Sequence, residues 1–242
     1  MMNMVQACGV VAKQRPQDSI VVSTMGAMFI FDRIEGEDGQ ANMVPMVGGT
    51  AGLVTGLAAA KVVSAVSCKL PSGEPKKKAS RISSAPLMGG AAGLGLGLAM
   101  AQPQRKVIVL DGDSSLLMEL SGLVTVASQK PVNLLHVVIH NGTQFTGLAN
   151  LETVTTDFKF AEAARNAGYA HAEMISDGET WAKRFPSLMA MPGPVFVELL
   201  VDPVPSRTKE GYVAEQMPDL QFERMGVEAA ALQAALAEGV ST

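Results

Sequence analysis

Two short turns carry the residues best suited to chemistry, Asp111-Gly112-Asp113-Ser114-Ser115 and His140-Asn141-Gly142. Asp113 offers a hard anionic oxygen beside a glycine, where the backbone can approach a bound group closely. The Ser114 and Ser115 amides open a helical pattern, and the unpaired N–H groups at a helix start attract phosphate. Asn141 adds a neutral carbonyl oxygen, and Gly142 lets the chain turn so that a backbone carbonyl can join it. One carboxylate, one or two neutral oxygens and phosphate oxygens make an ordinary magnesium shell. The residues by themselves therefore indicate a magnesium–phosphate site split across two turns. An ordinary pair of strand-to-helix turns, with Asp113 as a helix cap, is the competing reading.

Each turn closes a short apolar run, Val107 to Leu110 and Leu134 to Ile139. Such runs, bounded by polar residues, have the pattern of buried strands. Strands that both end in polar, glycine-bearing turns bring those turns together at the carboxyl edge of a parallel sheet, where open α/β folds bind ligands. Ile20-Val21-Val22-Ser23 repeats the pattern, so its turn, Thr24-Met25-Gly26, is expected at the same edge. A hydroxyl and a glycine there suit a phosphate oxygen, although a plain turn is the alternative.

Around these strands the sequence predicts helices over residues 1–17, 27–34, 158–167, 180–188 and 227–237, and a last buried strand over 194–200. Gly168 is a normal stop for the 158–167 helix. Val47-Gly48-Gly49-Thr50-Ala51-Gly52-Leu53, continued by VTGLAAA, resembles Met88-Gly89-Gly90-Ala91-Ala92-Gly93-Leu94, continued by GLGLAMA, at an offset of 41. Both copies read as tightly packing, small-residue helices. Neither is a convincing membrane span, being short, glycine-rich and soon interrupted. A Pro, Ser, Gly and Lys loop over 69–84 separates them.

A chain of 242 residues with 48% hydrophobic and 17% charged content has enough apolar material for a full core. A net charge of −4 gives no electrostatic case for nucleic acid or an anionic membrane. Two cysteines, Cys8 and Cys68, cannot hold an iron–sulfur cluster or a structural zinc, and read as free thiols in a reducing compartment. Gln6, Lys13 and Arg15 interrupt any apolar leader, so cytoplasm is the default expectation.

The turn pair has a further property. Asp113 and Asn141 lie 28 residues apart, and a GD(G/S) turn followed at this distance by an (N/H)NG turn resembles the GDG…NN fingerprint of thiamin-diphosphate enzymes. Ser114 stands where glycine is commoner, and His140 where the first asparagine is usual. The resemblance implies that Asp113, Asn141 and the Thr143 carbonyl hold Mg2+ on the cofactor's diphosphate. It implies a cradle of Thr24, Met25, Gly26, Gly112, Ser114, Ser115 and Gln144. Met88, 25 residues before Asp113, matches the bulky residue that props the cofactor in its bent form, with Gly89 beside it. Val47 is its rival through the duplication, and a plain core role is the alternative. His140 and Phe145 are weaker candidates for the substrate side, with a buried supporting role for His140 as the other reading.

The family's fold is a doubly wound parallel sheet with helices on both faces. Implied domains are a cofactor-binding unit over 1–203, with an insertion around 47–84, and a helical tail over 204–242. The family needs a glutamate from a pyrimidine-binding domain, and Glu119 reads as structural or solvated. The resemblance thus implies a separate pyrimidine-binding subunit in a hetero-oligomer, α2β2 or larger. The STMG turn and the MGG–GDS–HNG order resemble the sulfopyruvate and phosphonopyruvate decarboxylase group over roughly 18–203. After the Asn141 turn, however, the chain reads TQFTGLANLET where that group usually has a GGQ-type segment. The implied reaction is decarboxylation of a small 2-oxo acid. An acetolactate-synthase-like carboligase subunit and a non-catalytic Mg–phosphate-binding module are the alternatives.

Overall fold

The computed structural model describes residues 2–24, 27, 88–145, 150–153, 157–203, 230 and 232–237. The expected 47–84 insertion, its duplicated helix and Val47 lie outside them, as do Met25 and Gly26. Most of the 27–34 helix and of the 204–242 tail does too.

Five strands, β1 (Ile20–Ser23), β2 (Val107–Gly112), β3 (Leu134–His140), β6 (His171–Ile175) and β7 (Val195–Leu200), form one sheet in the order β1-β2-β3-β7-β6. Every pairing is parallel. Purely parallel strands are covered on both faces and so read as continuous apolar runs; β1 and β3 are buried at every position. Helices α2 (Ala91–Ala101), α4 (Gly122–Gln129) and α5 (Phe160–Ala167) pack one face. There they meet Ile20, Val109, Val138 and Phe196, joined by Leu232 and Leu236 of a helical segment over 232–237. Helices α1 (Met4–Gln14) and α6 (Gly178–Ala190) pack the other face, on Val21, Ile108, Val137 and Val197. The doubly wound parallel sheet expected from the sequence is present.

Helix α2 shows why its sequence is so rich in small residues. Eight of its residues are buried, so it is apolar nearly all round, as an interior helix must be. Its backbone lies directly over β2, and a Cβ at Gly95 would run into Val109 Cγ2. Gly95→Ala is expected to cost about 1–3 kcal/mol through overpacking, measurable by urea unfolding. Beyond the helix, the Asn133 amide donates to the carbonyls of Ala99, Gln102 and Arg105 at 3.1, 3.0 and 2.8 Å. This side chain ties the end of α2 to the entry of β2 and β3.

Two expectations need correction. The second copy of the glycine-rich repeat is not helical from Met88: Met88 and Gly89 form a turn, Gly89 at φ +99°, and the helix begins at Ala91. Strand β6 was not expected, because HAEMI mixes polar and apolar residues. Among the described residues it pairs with β7 alone; Ala172 and Ile175 are buried and Met174 is exposed.

Candidate active site at the carboxyl edge

Strands β1, β2 and β3 are parallel neighbours, with Ser23 opposite Leu110 and Gly112 opposite Ile139, so the Thr24, Gly112–Asp113 and His140–Asn141 turns lie at one edge. Thr24 N–H still donates to Leu110 O, at 2.9 Å, and its Oγ1 would be 3.7 Å from a Cβ placed on Gly112. β2 runs through Asp111 and Gly112, and α3 (Asp113–Met118) starts at Asp113 itself. The cap position is Gly112, and Asp113 is the first helical residue, which corrects the reading of Asp113 as a helix cap.

Asp113 is the centre of this edge. It is 2% exposed; Oδ1 accepts from Ser114 N at 2.7 Å and Oδ2 from Gly142 N at 2.7 Å. The second bond joins the β2 turn to the β3 turn. A further link runs the same way, from Ser114 Oγ to Thr143 O at 3.2 Å. Asn141 Oδ1 accepts from both Thr143 N, at 2.9 Å, and Thr143 Oγ1, at 3.0 Å, which folds the Asn141–Thr143 loop back on itself. Burial pushes the Asp113 carboxyl above its ordinary range, against the Ser114 and Gly142 N–H groups that favour the charged form. A buried carboxylate in this state gains from a cation beside it.

The oxygen donors gathered here are one carboxylate, one side-chain amide oxygen and one backbone carbonyl. Among the described residues no group of three or more His, Cys, Asp or Glu is placed to hold a metal ion. Oxygen donors of this kind suit a hard cation that takes its remaining ligands from phosphate and water, as Mg2+ does.

Met88 is held at this edge. Gly89 N donates to Ser115 Oγ at 2.9 Å, and Gln144 Nε2 lies 3.8 Å from Met88 Sδ. The φ of Gly89, with Glu119 Cβ 2.9 Å from where a Cβ would stand, leaves room for glycine alone. Gly89→Ala is expected to cost about 1–3 kcal/mol of backbone strain and displacement, seen as a lower Tm. Glu119 itself accepts from Ser121 Oγ at 2.7 Å, a local role in keeping with the sequence expectation. Thr143–Phe145 form β4, which pairs antiparallel with β5 (Asn150–Glu152), a hairpin the sequence reading missed. Only the backbone of Phe145 is described.

Behind the turns, two buried histidines on β3 repeat one arrangement. His136 Nδ1 meets Tyr169 OH at 3.0 Å, and its Nε2 lies 3.7 Å from Asp111 Oδ2. His140 Nδ1 meets Glu198 Oε1 at 2.8 Å, and its Nε2 lies 4.0 Å from Asp113 Oδ2. Burial, then the Asp111 charge, pushes the Tyr169 hydroxyl well above its ordinary pKa. Sequence reasoning missed Glu198, Asp111 and Tyr169. The signal for Glu198 was present: it is the lone charge in the buried run VFVELL, and it is 1% exposed.

A parallel sheet with this edge defines a class, and the comparisons agree. Residues 70–199 match the model of the family described as "Thiamine pyrophosphate enzyme, C-terminal TPP binding domain", and the chain belongs to that family. Among individual proteins, it is 36% identical over 100 residues to the sulfopyruvate decarboxylase subunit beta of Methanothermobacter thermautotrophicus. That match covers 41% of this chain and 51% of the relative. It is 34% identical over 99 residues to a phosphonopyruvate decarboxylase of Streptomyces viridochromogenes, covering 41% of this chain and 25% of that protein. The matches thus span about half of the first relative's length and a quarter of the second's. In fold, the chain resembles the thiamine diphosphate-dependent 4-hydroxybenzoylformate decarboxylase of Rhodococcus jostii RHA1. The TM-score is 0.57 at 17% identity, over 84% of this chain and 33% of that one. Among the described residues no helix is long and apolar enough to cross a membrane.

Proposed function

We propose that this chain is the diphosphate-binding subunit of a heteromeric thiamin-diphosphate-dependent decarboxylase acting on a small 2-oxo acid. The observation that carries the reading is the direct tie between the two turns, Gly142 N to Asp113 and Ser114 Oγ to Thr143 O, inside the segment that matches the family. Asp113, Asn141 Oδ1 and the Thr143 carbonyl would hold Mg2+. Thr24, Met25, Gly26, Gly112, Ser114, Ser115 and Gln144 would line the diphosphate, and Met88, on its Gly89 turn, would support the body of the cofactor. When bound, the cofactor supplies an electron sink for loss of a carboxylate. The chain's own contribution is to bind and orient: the two turns would fix the diphosphate end of the cofactor. The glutamate that the chemistry requires would come from a pyrimidine-binding subunit, in an assembly of α2β2 or larger in the cytoplasm. In this reading residues 1–203 form the cofactor domain and 204–242 a helical tail.

The test is turnover. The chain would be combined with a candidate pyrimidine-binding subunit and given Mg2+, thiamin diphosphate and a panel including pyruvate, sulfopyruvate and phosphonopyruvate. Release of CO2 that needs both chains supports the proposal. A product lengthened by a second carbonyl compound would make the protein a carboligase subunit. Cofactor binding without turnover of any 2-oxo acid would leave a non-catalytic module.

A further inference from the structure

Glu198 sits in the middle of a buried strand and makes two hydrogen bonds in different directions. Its Oε2 accepts from the backbone N–H of Ala161, at 2.9 Å, in the first turn of α5. Lys159, the residue at the cap of that helix, supplies no side-chain bond, so a carboxylate from β7 serves an otherwise open helix start. The other oxygen, Oε1, meets His140 Nδ1 at 2.8 Å. Phe160 closes the second side of the imidazole edge-on, with ring centroids 5.1 Å apart. The ring is therefore fixed in place, and its Nε2 points towards Asp113 Oδ2, 4.0 Å away.

The carboxylate of Glu198 accepts and cannot donate, so the neutral imidazole must carry its proton on Nδ1. The Nε2 that faces Asp113 is then free of a proton. Asp113 Oδ2 already accepts from Gly142 N–H. A proton on Nε2 would give the same carboxylate a second charge-seeking donor, in competition with a cation.

We infer that Glu198 is a positioning residue of the metal site: by holding His140 in the Nδ1–H tautomer, it keeps Asp113 available to a divalent cation. The inference rests on the proposed function in taking Mg2+ as that cation. It identifies Glu198 as part of the site, acting on Asp113 through His140.

Glu198→Gln separates the roles. Ala161 N–H can only donate, so it takes the amide oxygen of the glutamine, and the NH2 group turns to His140. Nδ1 must then accept, and the proton moves to Nε2, facing Asp113. The helix start keeps its bond, so a purely structural role predicts no change in metal affinity. The experiment is calorimetric titration of Mg2+, with thiamin diphosphate saturating, into the full chain with its partner subunit. It is repeated for Glu198→Gln, His140→Asn and the double variant, with Tm recorded for each. Mg2+ affinity should fall roughly tenfold in Glu198→Gln, the scale of an outer partner of a metal ligand, while Tm stays near that of the wild type. In the His140→Asn background the same change should alter affinity by no more than about twofold.

Unchanged affinity in Glu198→Gln would overturn the inference, as would a loss that persists undiminished without His140. Failure of the wild type to bind Mg2+ at all would instead overturn the functional reading. A second readout stands apart from the metal: the chain has 3 histidines, which makes 15N imidazole NMR assignable. His140 should show an Nδ1–H signature in the wild type and Nε2–H in Glu198→Gln. An Nε2–H signature in the wild type would overturn the inference regardless of cofactor binding.

Discussion

Asp113→Ala is expected to abolish Mg2+-dependent binding of thiamin diphosphate while leaving the chain folded. The carboxylate is the only charged donor of the proposed metal set, and it is also the acceptor that ties Gly142 to the β2 turn. Losing a mere supporting partner of a metal ligand costs up to about 100-fold, so removal of the ligand itself should cost on the order of 100-fold or more. Asp113→Asn sharpens the prediction. Because burial raises the pKa of this carboxyl, native burial works against its charged form above that pKa, and a neutral amide removes the penalty. The amide keeps one acceptor oxygen for the two N–H groups of Ser114 and Gly142, so this loss offsets the gain. The metal-free asparagine variant should therefore melt close to the wild type at neutral pH, yet gain no Tm on addition of Mg2+ and cofactor. The sign of the linkage is fixed: a raised carboxyl pKa means stability lost as pH rises through it, so the wild type should gain relative to the asparagine variant on acidification. A variant that melts far below the wild type would show that Asp113 is mainly a structural tie between the turns.

Phe160→Ala should give the largest loss of stability. Phe160 is fully buried at the start of α5 and packs edge-on against both His140 and Phe158, with centroids 5.1 and 4.8 Å apart. Truncating such a ring typically costs about 3–5 kcal/mol through lost burial and the cavity left behind. For a chain of this size that corresponds to a Tm lower by roughly 10 °C. Urea denaturation of the two proteins at neutral pH measures it. A change below about 1 kcal/mol would mean that α5 does not seal the sheet as described. The same ring braces His140, so cofactor binding should weaken as well, with partial recovery in Phe160→Leu, which refills part of the space.

Much of this architecture was legible in the sequence because parallel strands announce themselves. IVVS, VIVL and LLHVVI are short apolar runs closed by turn residues, and all three became adjacent strands with their turns on one edge. The turns were legible for a different reason: Asp113 and Asn141 are the residue types a metal needs, at a separation that one helix and one strand can bridge. What remained hidden depended on partners distant in the chain. HAEMI alternates poorly because β6 is an edge strand among the described residues, with a single neighbour and Met174 facing outward. The β4–β5 hairpin has three residues on each side and too little sequence for a period to show. Met88 was expected at the head of a helix because the repeat with Val47 suggested one. The positive φ at Gly89 starts α2 three residues later and leaves Met88 in a turn beside Gln144. Glu198 and His140 are 58 residues apart, and no local pattern could have paired them.

The central claim is that the β2 and β3 turns together form one diphosphate and metal site. Calorimetric titration of thiamin diphosphate, with and without Mg2+, into the chain alone and with the proposed pyrimidine-binding partner tests it most directly. The account predicts Mg2+-dependent binding that tightens when the partner is present and disappears in Asp113→Ala. Cofactor binding with equal affinity in the presence and absence of Mg2+, or no binding by folded protein in either sample, would contradict it.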